Sequence, residues 1–86
     1  MKETERILKA LANKRRLAIV KYLKNNREAT VGDIADEINL SFKATSKHLG
    51  ILSIADILEK EQVSLTMLYS IPKDRHPLVS KLLSII

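Results

Sequence analysis

Cysteine is missing altogether from these 86 residues, which excludes a disulfide framework and any thiolate metal site. No apolar run approaches the roughly 20 residues that span a bilayer. The opening MKETERILK is charged from its second residue and lacks the long apolar stretch of a signal peptide. A cytoplasmic protein without membrane contact is therefore expected. No segment is repetitive, Pro/Gly-rich or low in complexity. The marks of catalysis are absent as well. No serine sits in a Gly-x-Ser-x-Gly setting, and there is no phosphate-cradling glycine loop, nucleotide fingerprint or pair of carboxylates. The expectation is that the chain is not an enzyme, needs no cofactor and takes no evident small-molecule substrate.

Acidic residues are missing from two long stretches. From Arg6 to Arg27 the chain carries Arg6, Lys9, Lys14, Arg15, Arg16, Lys21, Lys24 and Arg27 without one Asp or Glu, and Ile38 to Ala55 carries Lys43 and Lys47 on the same terms. The acids collect between Glu28 and Glu37 and between Asp56 and Glu61, under a net charge of +5. Such separation of charge is the electrostatic footprint of a polyanion binder. For Lys21 and Lys24 a solvated basic helix face is the alternative. The length suits one domain, residues 1–86, with a modest core.

Residues Val31 to Leu52, VGDIADEINLSFKATSKHLGIL, read as two short helices about a tight turn, with a helix-turn-helix spanning about 31–54. Val31, Ile34, Ala35 and Ile38 recur at i, i+3, i+4 and i+7, one buried face of a helix. Thr30 suits its N-cap, Asp33 favours its positive end, and Gly32 weakens it by about 1 kcal/mol relative to alanine. Asn39 tolerates the left-handed conformation that ends such a helix, Leu40 would fill the corner, and Ser41 would cap the next one. In that second helix Thr45, His48, Leu49 and Leu52 are placed inward, and Lys43, Ala44, Ser46 and Lys47 outward. Small polar residues and lysines are what approach to a phosphate-lined groove requires. A helical hairpin with a solvated basic face fits this stretch taken alone.

Around it, Glu3–Leu11 suggests a helix with Ile7, Leu8 and Leu11 inward, and Asn13 caps a helix over Lys14–Lys24 with a stripe of Leu17, Ile19, Val20 and Leu23. Asp56 is expected to break the chain. Ile57–Val63 and Leu65–Ile71 alternate as the strands of a hairpin at about 57–71, although no glycine marks its turn. After PKDRHP, residues 77–86 form a short helix with almost no polar face. The fold class is mainly α with a small β-hairpin: a winged helix-turn-helix of about five helices and a two-stranded wing. An apolar helix of this kind marks an interface. Leu78, Val79, Leu82, Leu83 and Ile86 are expected to join Ile7, Leu8 and Leu11 in a homodimer; absorption of the helix into its own core is the alternative.

Taken in order, these segments resemble the ArsR-type winged-helix transcriptional regulators over nearly the whole chain. ILKALANKRRLAIVKYL looks like that family's opening, VGDIADEINLSFKATSKHLGIL like its helix-turn-helix with the core Ser46, Lys47, His48 and Leu49, and ILEKEQVSLTMLYSI like its wing, with Tyr69 where an aromatic is frequent. The resemblance implies a homodimer joined through the first and last helices, an operator in double-stranded DNA that is often palindromic, and release by a metal ion or another small signal. The thiolate sites of the family would fall on Thr30 and Gly32, which supply no thiolate. A second family site uses carboxylate and imidazole; Asp74 and His76 have the spacing of half of one, with Arg75 between them and no second half. No metal is therefore expected.

The expected function is sequence-specific DNA binding by a transcriptional regulator, as a repressor and homodimer. Lys43, Ala44, Ser46 and Lys47 would face base edges, with Ser41 and Thr45 near the phosphates or the core. His48 would pack beneath the reading helix or touch a phosphate, and Lys14, Arg15 and Arg16 would hold the DNA backbone. Two alternatives are a winged helix that binds protein and a nonspecific RNA or nucleic-acid binder. The wing tip Glu61-Gln62-Val63-Ser64-Leu65, following Glu59 and Lys60, departs from the basic, glycine-tipped wings of the family; phosphates would repel its acids, so the wing is expected to add little affinity or to serve packing instead.

Overall fold

A computed structural model describes residues 1–86. The elements follow as α1 (Lys2–Leu11), α2 (Lys14–Asn25), α3 (Val31–Ile38), α4 (Phe42–Ile54), β1 (Glu59–Val63), β2 (Thr66–Ser70) and α5 (Pro77–Ile85). Side-chain caps start four of the five helices: Asn13 Oδ1 accepts from the Arg15 and Arg16 amides, Thr30 Oγ1 from Asp33, Ser41 Oγ from Ala44, and His76 Nδ1 from Leu78. Each satisfies backbone donors that helix geometry leaves orphaned. Asn39 stops α3 in the left-handed region at φ 55°, and the Leu40 amide returns to the Ala35 carbonyl at 3.0 Å. Asp56 stops α4 in the same way at φ 60°, with Ile57 bonded back to Leu52.

One cluster of buried side chains joins every helix to the wing. Ile19, Val20, Ile34, Leu49, Leu52, Ile57 and Val79 form its centre. The hairpin pairs antiparallel from Glu59 opposite Ser70 to Val63 opposite Thr66. Its turn needs no glycine because Ser64 itself takes φ 59°, a strained choice for a residue with a Cβ. A link not foreseen from sequence fixes the wing to the body: Ala29, between α2 and α3, exchanges both backbone hydrogen bonds with Tyr69 at 2.9 and 3.1 Å.

Several expected placements change. Ile7 and Leu11 are buried as anticipated, but Leu8 is 50% exposed and Ala10 takes the inward position. In α5 the assignment of the whole apolar set to an interface does not hold. Val79 and Leu83 are absorbed into the protomer's own core, as are Ile7 and Leu11. A nine-residue helix presents only part of its circumference to one neighbour, so Leu78, Leu82 and Ile86 stay half-buried and Ile85 is exposed.

Candidate nucleic-acid interface

The core grips α4 from one side, through Thr45, Leu49 and Leu52, which turns Lys43 and Lys47 out to solvent one helical turn apart. Ala44, Ser46 and His48 lie half-buried along the two edges of that exposed strip. Ser41 is exposed at the start of the helix, but its hydroxyl already serves as the cap. Thr45 is fully buried and its Oγ1 has no hydrogen-bond partner, so it does not reach a ligand and the core placement is the one the fold adopts. Asn39 and Asp56, with their left-handed backbones, set where the helix starts and stops.

The basic residues of α2 divide by role. Lys14 is exposed beside the α2 N-terminus. Arg15 and Arg16, expected to help hold the DNA backbone, are also bonded within the protein. Arg15 Nη1 donates to the Ile38 carbonyl at 3.1 Å, at the end of α3. Arg16 donates through Nε to the Ala10 carbonyl at the end of α1, and its Nη1 lies 3.2 Å from His48 Nδ1 on α4. One guanidinium thus bridges three helices. Sequence spacing gave no sign of this, because the partners lie 6 and 32 residues away.

The same contact defines the state of His48. Burial, and after it the positive charges of Arg16, Arg15 and Lys47, hold its pKa below the ordinary 6.5. A neutral ring presents Nδ1 as the acceptor for Arg16. His48 therefore acts as a neutral seat between the reading helix and α2. Next to this corner an open cleft of about 770 Å³ runs between α2 and α3, lined by Lys14, Arg15, Lys21 and Tyr22 among others, with Glu37 on its far wall.

No group of three or more His, Asp or Glu side chains comes together to hold a metal ion. His76 caps α5, with its Nδ1 accepting from the Leu78 amide at 3.0 Å, and its Nε2 faces Glu3 Oε1 at 3.9 Å. Asp74 is exposed in the preceding turn. The wing contributes no cationic tip. Every residue of β1 is exposed, as is Leu65 at the turn, and Glu28, Glu59, Lys60 and Glu61 line one side.

A lysine-bearing, N-capped second helix of a helix-turn-helix, followed by a two-stranded wing, defines the winged-helix class of DNA-binding domains. The particular family is settled by comparison. The family model described as bacterial regulatory protein, arsR family, matches residues 13–60, and the chain belongs to that family of transcriptional regulators. The transcriptional activator HlyU of Vibrio cholerae is 35% identical over 65 residues, 76% of this chain and 59% of the relative, so the match spans less than two thirds of that protein. A solved structure of the V. cholerae HlyU superposes with a TM-score of 0.83 at 29% identity, covering 96% of this chain and 86% of the other. The homodimeric winged helix-turn-helix DNA-binding domain (fragment 1–100) of Mb0332 from Mycobacterium bovis gives 0.83 at 27% identity, with 98% and 74% covered. The transcriptional repressor PagR of Bacillus anthracis gives 0.83 at 25% identity, with 98% and 92% covered. No helix is long and apolar enough to cross a membrane.

Proposed function

We propose that this protein regulates transcription as a homodimer that binds double-stranded DNA sequence-specifically, with α4 in the major groove. The observation that carries the reading is the outward strip of α4. Lys43 and Lys47 project from a helix held rigidly from behind, no acid occurs between Ile38 and Ala55, and the exposed Lys14 flanks the strip. Lys43, Ala44, Ser46 and Lys47 face the bases. Lys14 contacts the backbone, and Arg15 and Arg16 add positive potential from fixed positions. His48 supports the helix from beneath.

Dimerisation uses the apolar surface that the core leaves uncovered: Leu8 on α1, with Leu78, Leu82, Ile85 and Ile86 on α5. The homodimeric, DNA-binding Mb0332 domain supports dimerisation as such. A two-fold pair of reading helices matches a palindromic operator, and joining two half-sites raises affinity through effective concentration. Occupying a promoter blocks it, and repression is the outcome we propose. The sign depends on where the operator lies, and among the relatives HlyU is named an activator and PagR a repressor.

An electrophoretic mobility assay with random duplexes, selected duplexes and single-stranded RNA tests the reading. Preference for a selected duplex is expected. Equal binding to all nucleic acids points to a nonspecific binder. No shift even at low salt points to a protein-binding winged helix, the reading favoured by the wing tip, where Leu65 is 96% exposed.

A further inference from the structure

Phe42 is an exposed aromatic with no work inside the fold. The other two aromatics are partly or fully buried, Tyr22 against α2's neighbours and Tyr69 in the core, whereas Phe42 leaves 64% of its surface in water. It is the first residue of α4, directly after the capping Ser41. The cap is made through the Ala44 amide and does not involve it. Phenylalanine is also a middling helix former, so helix initiation does not call for it. Side chains on a helix lean toward its N-terminus. Phe42 therefore leans past the start of the reading helix, the end whose residues meet base edges in helix-turn-helix proteins.

What surrounds Phe42 narrows what can cover it. Ser41, Lys43, Ala44 and Ser46 are polar or small, and no acid is present on this segment. An apolar protein surface would meet here a single ring flanked in sequence by a cation and hydroxyls. An anionic partner with a single apolar feature fits better. The floor of the DNA major groove has one such feature, the C5 methyl of thymine, for which phenylalanine is a known kind of contact. We propose that Phe42 is a specificity-determining residue that reads a thymine in each half-site through its methyl group. The proposal rests on the DNA-binding function above.

The test begins with duplexes selected from a random pool by the 86-residue chain. Each thymine of the selected site is then replaced singly by deoxyuridine, which removes the methyl and keeps the base pair, and affinity is read by fluorescence anisotropy. One thymine per half-site is expected to matter, its replacement weakening the wild type about fourfold, the scale of one buried methyl-sized group. Phe42→Ala should bind the thymine and uracil duplexes alike, and Phe42→Leu should restore sensitivity. Circular dichroism melts check that both variants keep the fold. Equal methyl sensitivity in wild type and Phe42→Ala, no sensitive thymine, or a selected site without thymine each overturns the proposal. Failure to select any duplex overturns the DNA-binding function as well, and so separates the two ideas.

Discussion

Arg16→Ala separates a structural role for this residue from a phosphate contact. In the folded chain its guanidinium binds the Ala10 carbonyl and faces His48 Nδ1, both partly buried. A hydrogen bond from a charged group is worth about 1.5–3 kcal/mol when its partner is otherwise left unsatisfied, and less where water can reach it. With two such bonds part-exposed, a loss of about 2–3 kcal/mol is expected. That is a large share of the roughly 5–10 kcal/mol that hold a domain of this size. The melting temperature should fall by about 10–15 °C. Arg16→Lys keeps the charge but loses the planar fork, and it should recover only a small part of the loss. A free phosphate ligand behaves oppositely: its removal leaves the melt unchanged, lowers affinity for every DNA sequence and reduces the salt slope by about one unit. Circular dichroism melts with anisotropy titrations at several salt concentrations distinguish the two. An unaltered melt in both variants would refute the bridging role. The same corner responds to pH. The folded pKa of His48 lies below its ordinary 6.5, so the unfolded chain takes up the proton first. Stability from this group is present above about pH 6.5 and is lost as pH falls through the lowered folded value. His48→Gln retains an acceptor for Arg16 without titrating. It should remain more stable than the wild type in mild acid and match it near pH 8.

Further predictions concern the buried hydroxyl, the turn, the reading strip and the dimer face. Thr45→Val replaces an unpartnered buried hydroxyl with a methyl and should stabilise by about 1 kcal/mol, a rise of about 4–8 °C in the melt; a drop would reveal a partner for Oγ1. Ser64→Gly relieves a left-handed backbone and should raise stability by about 1 kcal/mol in urea titrations. Lys47→Ala should cost about 1–3 kcal/mol on a selected duplex but far less on random DNA, whereas Lys14→Ala should weaken both alike. Ile85→Glu alters a side chain that is 73% exposed, so the fold should survive. Sedimentation equilibrium should then show a one-chain mass where the wild type pairs; an unchanged mass removes this face from the interface.

Local chemistry made most of the framework legible without coordinates. Asn13, Thr30 and Ser41 are short acceptors placed just before periodic apolar runs, and each caps the helix it announces. Asn39 and Asp56 are residues that tolerate positive φ; Asn39 caps α3, and Asp56 turns the chain directly after the α4 cap Ala55. The outward lysines of α4 follow from a 3.6-residue period once Leu49 and Leu52 are assigned inward. What sequence could not supply were contacts between distant elements. Only packing brings Arg16 to Ala10 and His48 at once, converting an expected phosphate ligand into a brace. Only packing pairs Ala29 with Tyr69 and so anchors the wing. The apolar composition of α5 announced burial but not its division, because a helix does not encode which side its own core will take. Val79 and Leu83 went inward and Ile85 was left out because one small core can cover only one face of its last helix.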